Sequence, residues 1–445
     1  MEPLETRLQK RMHVSLYALL FLTGLLGLSV LLEGCTDTCE SKASYIYFEP
    51  IYKSFEEIKE ETGLTSPQPL SAVGKIYIKD NYLFVNDPGK GIHIFNNTDP
   101  AAPLQEAFLS IPGNFDLAIK GNTLYADSYI DLVSFDISNV EGIKEVSRES
   151  AVFSYFNYDI GFNPVSGLDE TKGIITGWKE TTKVTVTEGD CSFQPGGPVT
   201  WYKGGVLAES AADFTRSLAS APGTGSGPGV GGSMAKFTVH GDFLYAINSG
   251  YLHTFDVSTV KPVSKIISYV GWDIETIFPY GANLFLGSSS GMHILALDNP
   301  ENPAVISTYT HVSSCDPVVV QDGYAYVTLR SGNECAGFTN QLEVIDIHDK
   351  TAPSLLKIYP MTNPHGLGID GDLLFVCDGQ DGLKVYRADD IMTIDKNLIK
   401  HYKSIHAFDV IPYNDRLVMI GEDGLFQYSY ADPENITLLS QITIQ

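Results

Sequence analysis

Residues Asp316–Pro353 read DPVVVQDGYAYVTLRSGNECAGFTNQLEVIDIHDKTAP, and three strand signals fall within this stretch. An apolar run leads into a tight turn at Gln321-Asp322-Gly323, followed by a strand from Tyr324 to Leu329. A further strand from Leu342 to Ile347 runs into a polar turn that closes on Pro353, and a fourth, Leu355 to Tyr359, comes next. Four short strands in about 40 residues is the size of one propeller blade.

The same unit recurs on both sides. Aligning first tight turns gives Asp80, Gly121, Gly241, Gly281, Asp322, Gly371 and Asn414, at spacings of 41, 120, 40, 41, 49 and 43. The 49 reflects a longer loop, Arg330 to Gln341, and the 120 holds an insertion from about Ser150 to Gly232. Each turn precedes an aromatic-rich strand, such as Phe243 to Ile247 or Leu373 to Val376. A third strand follows in each unit, as in Gly91-Ile92-His93-Ile94-Phe95 and Leu252-His253-Thr254-Phe255-Asp256. Turns such as Asn97-Thr98-Asp99-Pro100 then close the unit, because Asp and Asn bond the local backbone and Pro cannot extend a ladder.

A four-stranded sheet with two apolar faces buries neither alone, whereas sheets stacked around an axis bury both. The expected fold class is therefore all-β, a seven-bladed β-propeller of four-stranded blades over residues 73–445, interrupted at 150–232. An eighth blade would have to lie in the insertion, which lacks the turn-and-strand pattern in register. The insertion reads instead as a hairpin, Gly173 to Val186, and a Gly/Ser-rich linker, Ser220 to Ser233. Residues 35–72 read as a polar tether with a short amphipathic helix between Tyr52 and Glu61 that packs on the outside of the fold.

The 445 residues carry a net charge of −25. A surface this acidic repels polyphosphates, which argues against a nucleic-acid partner. Residues 1–34 read as an export signal: Arg7, Lys10 and Arg11 precede an uncharged apolar run, Val14 to Leu32, that ends at Leu32-Glu33-Gly34-Cys35. This resembles a bacterial lipoprotein signal with Cys35 as the lipidated residue. The run is also long enough to cross a bilayer uncleaved. Both readings place the rest of the chain outside the cytoplasm. Thr36 after the cysteine favours outer-membrane delivery, facing either the periplasm or the medium. The implied partners are the membrane, through the lipid anchor, and a protein or glycan.

The third-strand segments Leu342-Glu343-Val344-Ile345-Asp346-Ile347 and Leu132-Val133-Ser134-Phe135-Asp136-Ile137-Ser138 resemble the signature of the LVIVD-repeat family. The resemblance spans Val73 to Gln445 apart from the insertion, and implies β-propeller blades and, for many members, Gram-negative lipoproteins. Units such as Gly382 to Ala388 lack the closing Asp, so that Asp is not expected to be a shared ligand.

If the first strand of each unit lines the axis, its start, the loop between second and third strands and the connection from the preceding blade share one rim. The long loop and the insertion then elaborate that rim, and elaborated loops on a rigid scaffold are where binding resides. Cys315 and Cys335 are expected to form a disulfide there, and Cys377 to be a buried inert thiol. Asp116, Glu275, Asp316, His365 and His406 stand at or near first-strand starts and are the candidate channel-mouth binding residues. Their convergence would suit a divalent cation or an acid/base pair. The plainer expectation is that they cap strand ends and line a wet channel, with no cofactor. His93, His253 and His293, at equivalent mid-strand positions, read as packing residues. Asp378-Gly379-Gln380-Asp381-Gly382 lacks the ligand run and closing Glu of a calcium loop and reads as a hairpin loop. With no Gly-x-Ser-x-Gly elbow, phosphate loop, paired CxxC or His-Glu-x-x-His, the expected function is an exported, lipid-anchored binding or scaffold module. The alternative is a metal-assisted hydrolase at the channel mouth.

Overall fold

The computed structural model describes residues 38–153, 170–190, 230–248, 250–272, 274–311, 317–331 and 339–445. The chain divides into two units, Met1–Glu49 with Trp178–Gly204, and Pro50–Gly177 with Gly205–Gln445.

The larger unit is a seven-bladed β-propeller of four-stranded antiparallel blades. Their first strands are Ile76–Lys79, Leu117–Lys120, Phe237–His240, Ile274–Tyr280, Val318–Gln321, Leu367–Asp370 and Ala407–Tyr413. In six blades this strand ends its sheet, in the first it is flanked by Val230–Gly231, and successive first strands lie against one another from the first blade to the seventh. They are buried, whereas outer strands such as Val263–Tyr269 and Ser354–Pro360 are largely exposed. All seven aligned turn residues adopt left-handed backbone, with φ of 53° at Asp80, 54° at Gly121, 59° at Gly241, 58° at Gly281, 50° at Asp322, 57° at Gly371 and 51° at Asn414. Asp, Asn and Gly are the residues that tolerate this region, which is why they mark the repeat.

The closing Asp of the third strand is also local turn chemistry. Asp136, Asp256 and Asp346 each accept a backbone N–H two residues on, from Ser138, Ser258 and His348, at 2.9 Å. These bonds hold the Asp136 and Asp346 carboxyls below the usual range, and at Asp256 the Ser258 hydroxyl acts first and the backbone bond second to bring it to about 2.

The ring closes without strand exchange: blade 1 is built from the N-terminal side and blade 7, Ala407 to Thr443, wholly from the C-terminal side. Side chains hold that seam. Asn97 and Gln427 exchange two amide hydrogen bonds, Asn97 Nδ2 to Gln427 Oε1 at 2.9 Å and Gln427 Nε2 to Asn97 Oδ1 at 2.8 Å. Ser440 Oγ donates to the Pro100 carbonyl at 2.6 Å. Ile76, Ile78 and Val85 of blade 1 pack with Ile411, Val418 and Ile420 of blade 7 in one apolar cluster, which Met234 from the insertion completes.

Three expectations outside the repeats need correction. The tether is a strand through much of its length, Thr38–Lys53, and Ile174–Asp190 is one long strand paired with it, not a hairpin on itself. Gly173 opens the larger unit's share of this pairing, where a Cβ would lie 2.2 Å from the Lys53 carbonyl oxygen. The linker's last residues are structural: Val230–Gly231 pairs with Tyr77 and Ile78 on the axial edge of blade 1, and Ser233 is buried. The expected helix is present at Phe55–Glu61. Ser54 and Glu57 cap it reciprocally, and Ile58 is buried against Ile130 and Ile174. Blade 1 gains a further outer strand, Gly63–Thr65, on Leu104–Ser110.

Candidate functional site

Counting five residues back from each turn gives one equivalent position at or near the start of each first strand: Lys75, Asp116, Lys236, Thr276, Pro317, Gly366 and Asp409, blade by blade. Four adjacent blades, the seventh through the third across the closure, supply Asp409, Lys75, Asp116 and Lys236, alternating in sign. Lys75 Nζ lies 3.6 Å from Asp116 Oδ2 and donates to the Met234 carbonyl. Asp116 Oδ2 also accepts the Lys236 N–H at 2.6 Å, and its Oδ1 the Leu117 N–H at 2.7 Å. Both side chains are buried, so desolvation pushes the Lys75 pKa down and that of Asp116 up, while the charge of each opposes the shift of the other.

The insertion's return arm completes this arrangement. Ser233 Oγ donates to Asp409 Oδ1 at 2.8 Å and accepts the Leu367 N–H at 3.0 Å. Gly366 makes room for both: a Cβ there would lie 1.8 Å from Asp409 Oδ1 and 2.8 Å from Ser233 Oγ. The axial end on this side is thus filled by the chain's own side chains.

Beside it, Asp127 Oδ1 accepts three N–H groups, from Asn114 Nδ2, Phe115 N and Asp116 N, each at 2.8 Å. Burial nonetheless pushes its pKa up to about 7, and the neighbouring Asp116 charge adds to the rise. Lys75, Asp116, Asp127, Tyr129, Lys236 and Asn248 contribute to a cavity of about 20 Å³. That is room for about one water molecule, against the hundreds of cubic ångströms that enclose a small-molecule substrate.

Four of the five candidate channel-mouth residues, Asp116, Glu275, His365 and His406, are among the described residues. Asp116 is engaged by Lys75 and Lys236. Glu275 is half-buried at a bulge in blade 4's first strand. Asp316 lies outside the described residues, as do Cys35, Cys315 and Cys335 and hence the expected lipidation and disulfide. His365 and His406 do come together, ring centroids 6.1 Å apart at 83°. His365 Nε2 lies 3.3 Å from Arg330 Nη1, and His406 Nδ1 lies 2.8 Å from Glu422 Oε2. Among the described residues no three His, Cys, Asp or Glu groups gather closely enough to hold a metal ion.

Lys75 and Lys236 are the residues that reading acids and histidines alone passes over. Their signal is the constant offset from the turn. In the loop after Cys377, Lys384 Nζ occupies the place of a cation, donating to Asp378 Oδ2 at 2.5 Å and Asp381 Oδ2 at 2.6 Å. Cys377 is a buried free thiol whose pKa burial pushes well up. His93 and His253 are buried and pack on aromatic rings, His93 on Phe108 at 4.7 Å and His253 on Phe153 at 5.5 Å. His293 is half-buried, with Nδ1 2.9 Å from Thr308 Oγ1.

No curated protein matches the sequence significantly. Among solved structures, a protein from Lactobacillus plantarum is similar in fold, with a TM-score of 0.50 at 12% identity over 84% of this chain and 95% of that one. Saccharomyces cerevisiae Sqt1 gives a TM-score of 0.48 at 8% identity, over 86% of this chain and 90% of that one. BamB from Moraxella catarrhalis gives 0.40 at 11%, over 85% and 91%. Residues 314–361, which hold the Leu342–Ile347 strand and its closing Asp346, match the LVIVD repeat family.

Proposed function

We propose that this protein is an exported, lipid-anchored propeller of the cell envelope that acts as a non-catalytic binding or scaffold module through one rim. The supporting observation is at the axis. Its charges compensate one another, the arm 230–236 fills the space beside them, and the remaining cavity holds about one water molecule. Recognition then falls to the rim where the insertion leaves after Glu149 and rejoins before Phe237, and where second strands pass to third strands. Cys35 would carry the lipid, and the membrane would be the first partner. The protein would belong to the outer membrane, facing the periplasm or the medium.

The test is a chain in which 154–229 is replaced by a short linker while 230–236 is kept, because that arm supports the axis. Immobilised parent and variant are incubated with solubilised envelope, and retained proteins and glycans are compared. The expected result is a folded variant, its thermal midpoint lowered by loss of the Ile174 contact with Ile58 and Ile130, that has lost partners held by the parent. Identical retention by the two chains would overturn the rim reading. Cys35→Ala should in parallel abolish incorporation of labelled palmitate.

A further inference from the structure

Among the described residues eighteen large apolar side chains are exposed, and six lie in one stretch of blade 3: Tyr251, Val260, Val263, Ile267, Tyr269 and Trp272. Each other blade also exposes an apolar residue early in its outer strand, Leu355 in blade 5 for example, so Val263 is the repeat's ordinary share. Ile267 has an exposed counterpart in Ile358 of blade 5; the other four do not, and Trp272 is 79% exposed. Contiguous exposed apolar surface of this kind marks an interaction site.

The ledge is pre-organised. Val270 and Gly271 both donate backbone N–H groups to the Gly250 carbonyl, at 3.0 and 3.4 Å. Gly250, at φ +84°, lies so close beneath that a Cβ would be 2.1 Å from the Gly271 oxygen. The Tyr251 and Tyr269 rings meet edge to face at 5.4 Å. Side chains already held in place lose little freedom on binding.

The patch also borders an open sheet edge. Val263–Tyr269 is the last strand of its sheet, with no strand beyond it among the described residues. The corresponding edge of blade 1 is occupied by the chain itself, Gly63–Thr65 pairing antiparallel with Phe108 to Ser110. Beside the blade 3 edge stands Lys261, its side chain 68% exposed and 3.4 Å from Glu149, on a chain of net charge −25.

We propose that the outer edge of blade 3 receives an extended segment of a partner protein, added as a fifth strand, with apolar side chains on Ile267, Tyr269 and Trp272 and an acidic residue facing Lys261. Strand addition takes affinity from backbone hydrogen bonds and specificity from alternate side chains. Val260, Val263 and Ile267 suit a peptide better than a sugar, and the net charge repels an anionic lipid surface. This inference rests on the binding-module reading and names its partner class.

A displayed library of random heptapeptides is selected on the full chain, and enriched peptides are measured by fluorescence anisotropy. Peptides combining apolar alternation with an acidic residue are expected. Tyr269→Ala/Trp272→Ala should weaken them by about tenfold or more, the range of an aromatic hot spot. Lys261→Glu should weaken them less, and Leu356→Ala on the blade 5 edge should leave them unchanged. Bound peptide should slow amide hydrogen exchange over Val263–Tyr269. Because the substituted side chains are exposed, the thermal midpoint should hold. Full affinity in the double variant would overturn the proposal. So would patch-dependent binding of phosphatidylethanolamine–phosphatidylglycerol vesicles or of an arrayed glycan in place of peptides, or dimerisation that the double variant abolishes. If the 154–229 replacement loses envelope partners while the patch variants keep them, this inference fails and the rim reading stands.

Discussion

Two arcs of the axis use one backbone position in opposite ways. Five residues before their turns, the seventh, first, second and third blades carry Asp409, Lys75, Asp116 and Lys236, whereas the fourth, fifth and sixth carry Thr276, Pro317 and Gly366. The charged arc spans both irregular junctions of the ring, the closure between the last and first blades and the point where the insertion rejoins. There the first strands do not meet a regular neighbour alone, and the arm from Val230 to Lys236 adds backbone and hydroxyl groups that need partners. The uncharged arc holds no such junction, since the longer loop Arg330 to Gln341 lies within a blade, and Gly366 yields its space to Asp409 and Ser233. Charge at this position therefore follows the junctions and is largely an architectural device.

The comparison breaks most sharply at Lys75 and Asp116. Removing one member of a buried pair strands the other without compensation, which costs about 3–5 kcal/mol. Lys75→Met and Asp116→Asn should each lower the unfolding free energy by that order, measured by urea denaturation. The double substitution should recover part of the loss, since the introduced amide oxygen would still accept one of the two N–H groups, from Lys236 or Leu117, that the carboxylate holds. If the two single losses simply add, the pair is not coupled and the charges serve some other end.

On the uncharged side, Gly366→Ala asks whether the space beside Asp409 is needed. With a Cβ projected at 1.8 Å from the carboxylate oxygen, something must shift, and overpacking of this kind costs about 1–3 kcal/mol. An unchanged denaturation midpoint would mean that Asp409 and Ser233 are free to withdraw. The closure seam offers a comparison without charge. Asn97→Ala leaves the buried Gln427 amide short of two partners, a loss of about 1–3 kcal/mol. A wild-type midpoint in that variant would show that the apolar cluster around Ile78 and Ile411 closes the ring unaided.

The blades were legible because each announces itself locally. A residue that tolerates left-handed backbone, an aromatic strand and an Asx turn recur every 40 or so residues, and Asp80, Asp322 and Asn414 fill the same conformation as the glycines. Partners distant in sequence were not legible. Ile174–Asp190 has the β-branched composition of a strand, but composition does not say that its partner is Thr38–Lys53. Ser220 to Ser233 reads as linker because Gly and Ser dominate it, yet Ser233 at its end holds two axial hydrogen bonds. The axial lysines were in plain sight at a constant offset. Acids and histidines in a sequence suggest chemistry, whereas a lysine beside a strand suggests surface.

The smallest expected effect is in pH dependence and concerns Asp127, on the charged arc. Its carboxyl is raised from the ordinary 3.8 to about 7 by burial and by Asp116, so the folded protein binds a proton that the unfolded chain releases between those values. The group's contribution to stability is complete below about 3.8 and is lost as the pH rises through about 7. Asp127→Asn removes the titration while keeping an oxygen for the Asn114, Phe115 and Asp116 donors. The variant's stability, measured by urea denaturation across that range, should fall less steeply with pH than the parent's, and the two curves should run parallel above it. Parallel curves throughout would mean that the three N–H bonds hold Asp127 ionised and that the arc carries one more fixed negative charge than its lysines balance.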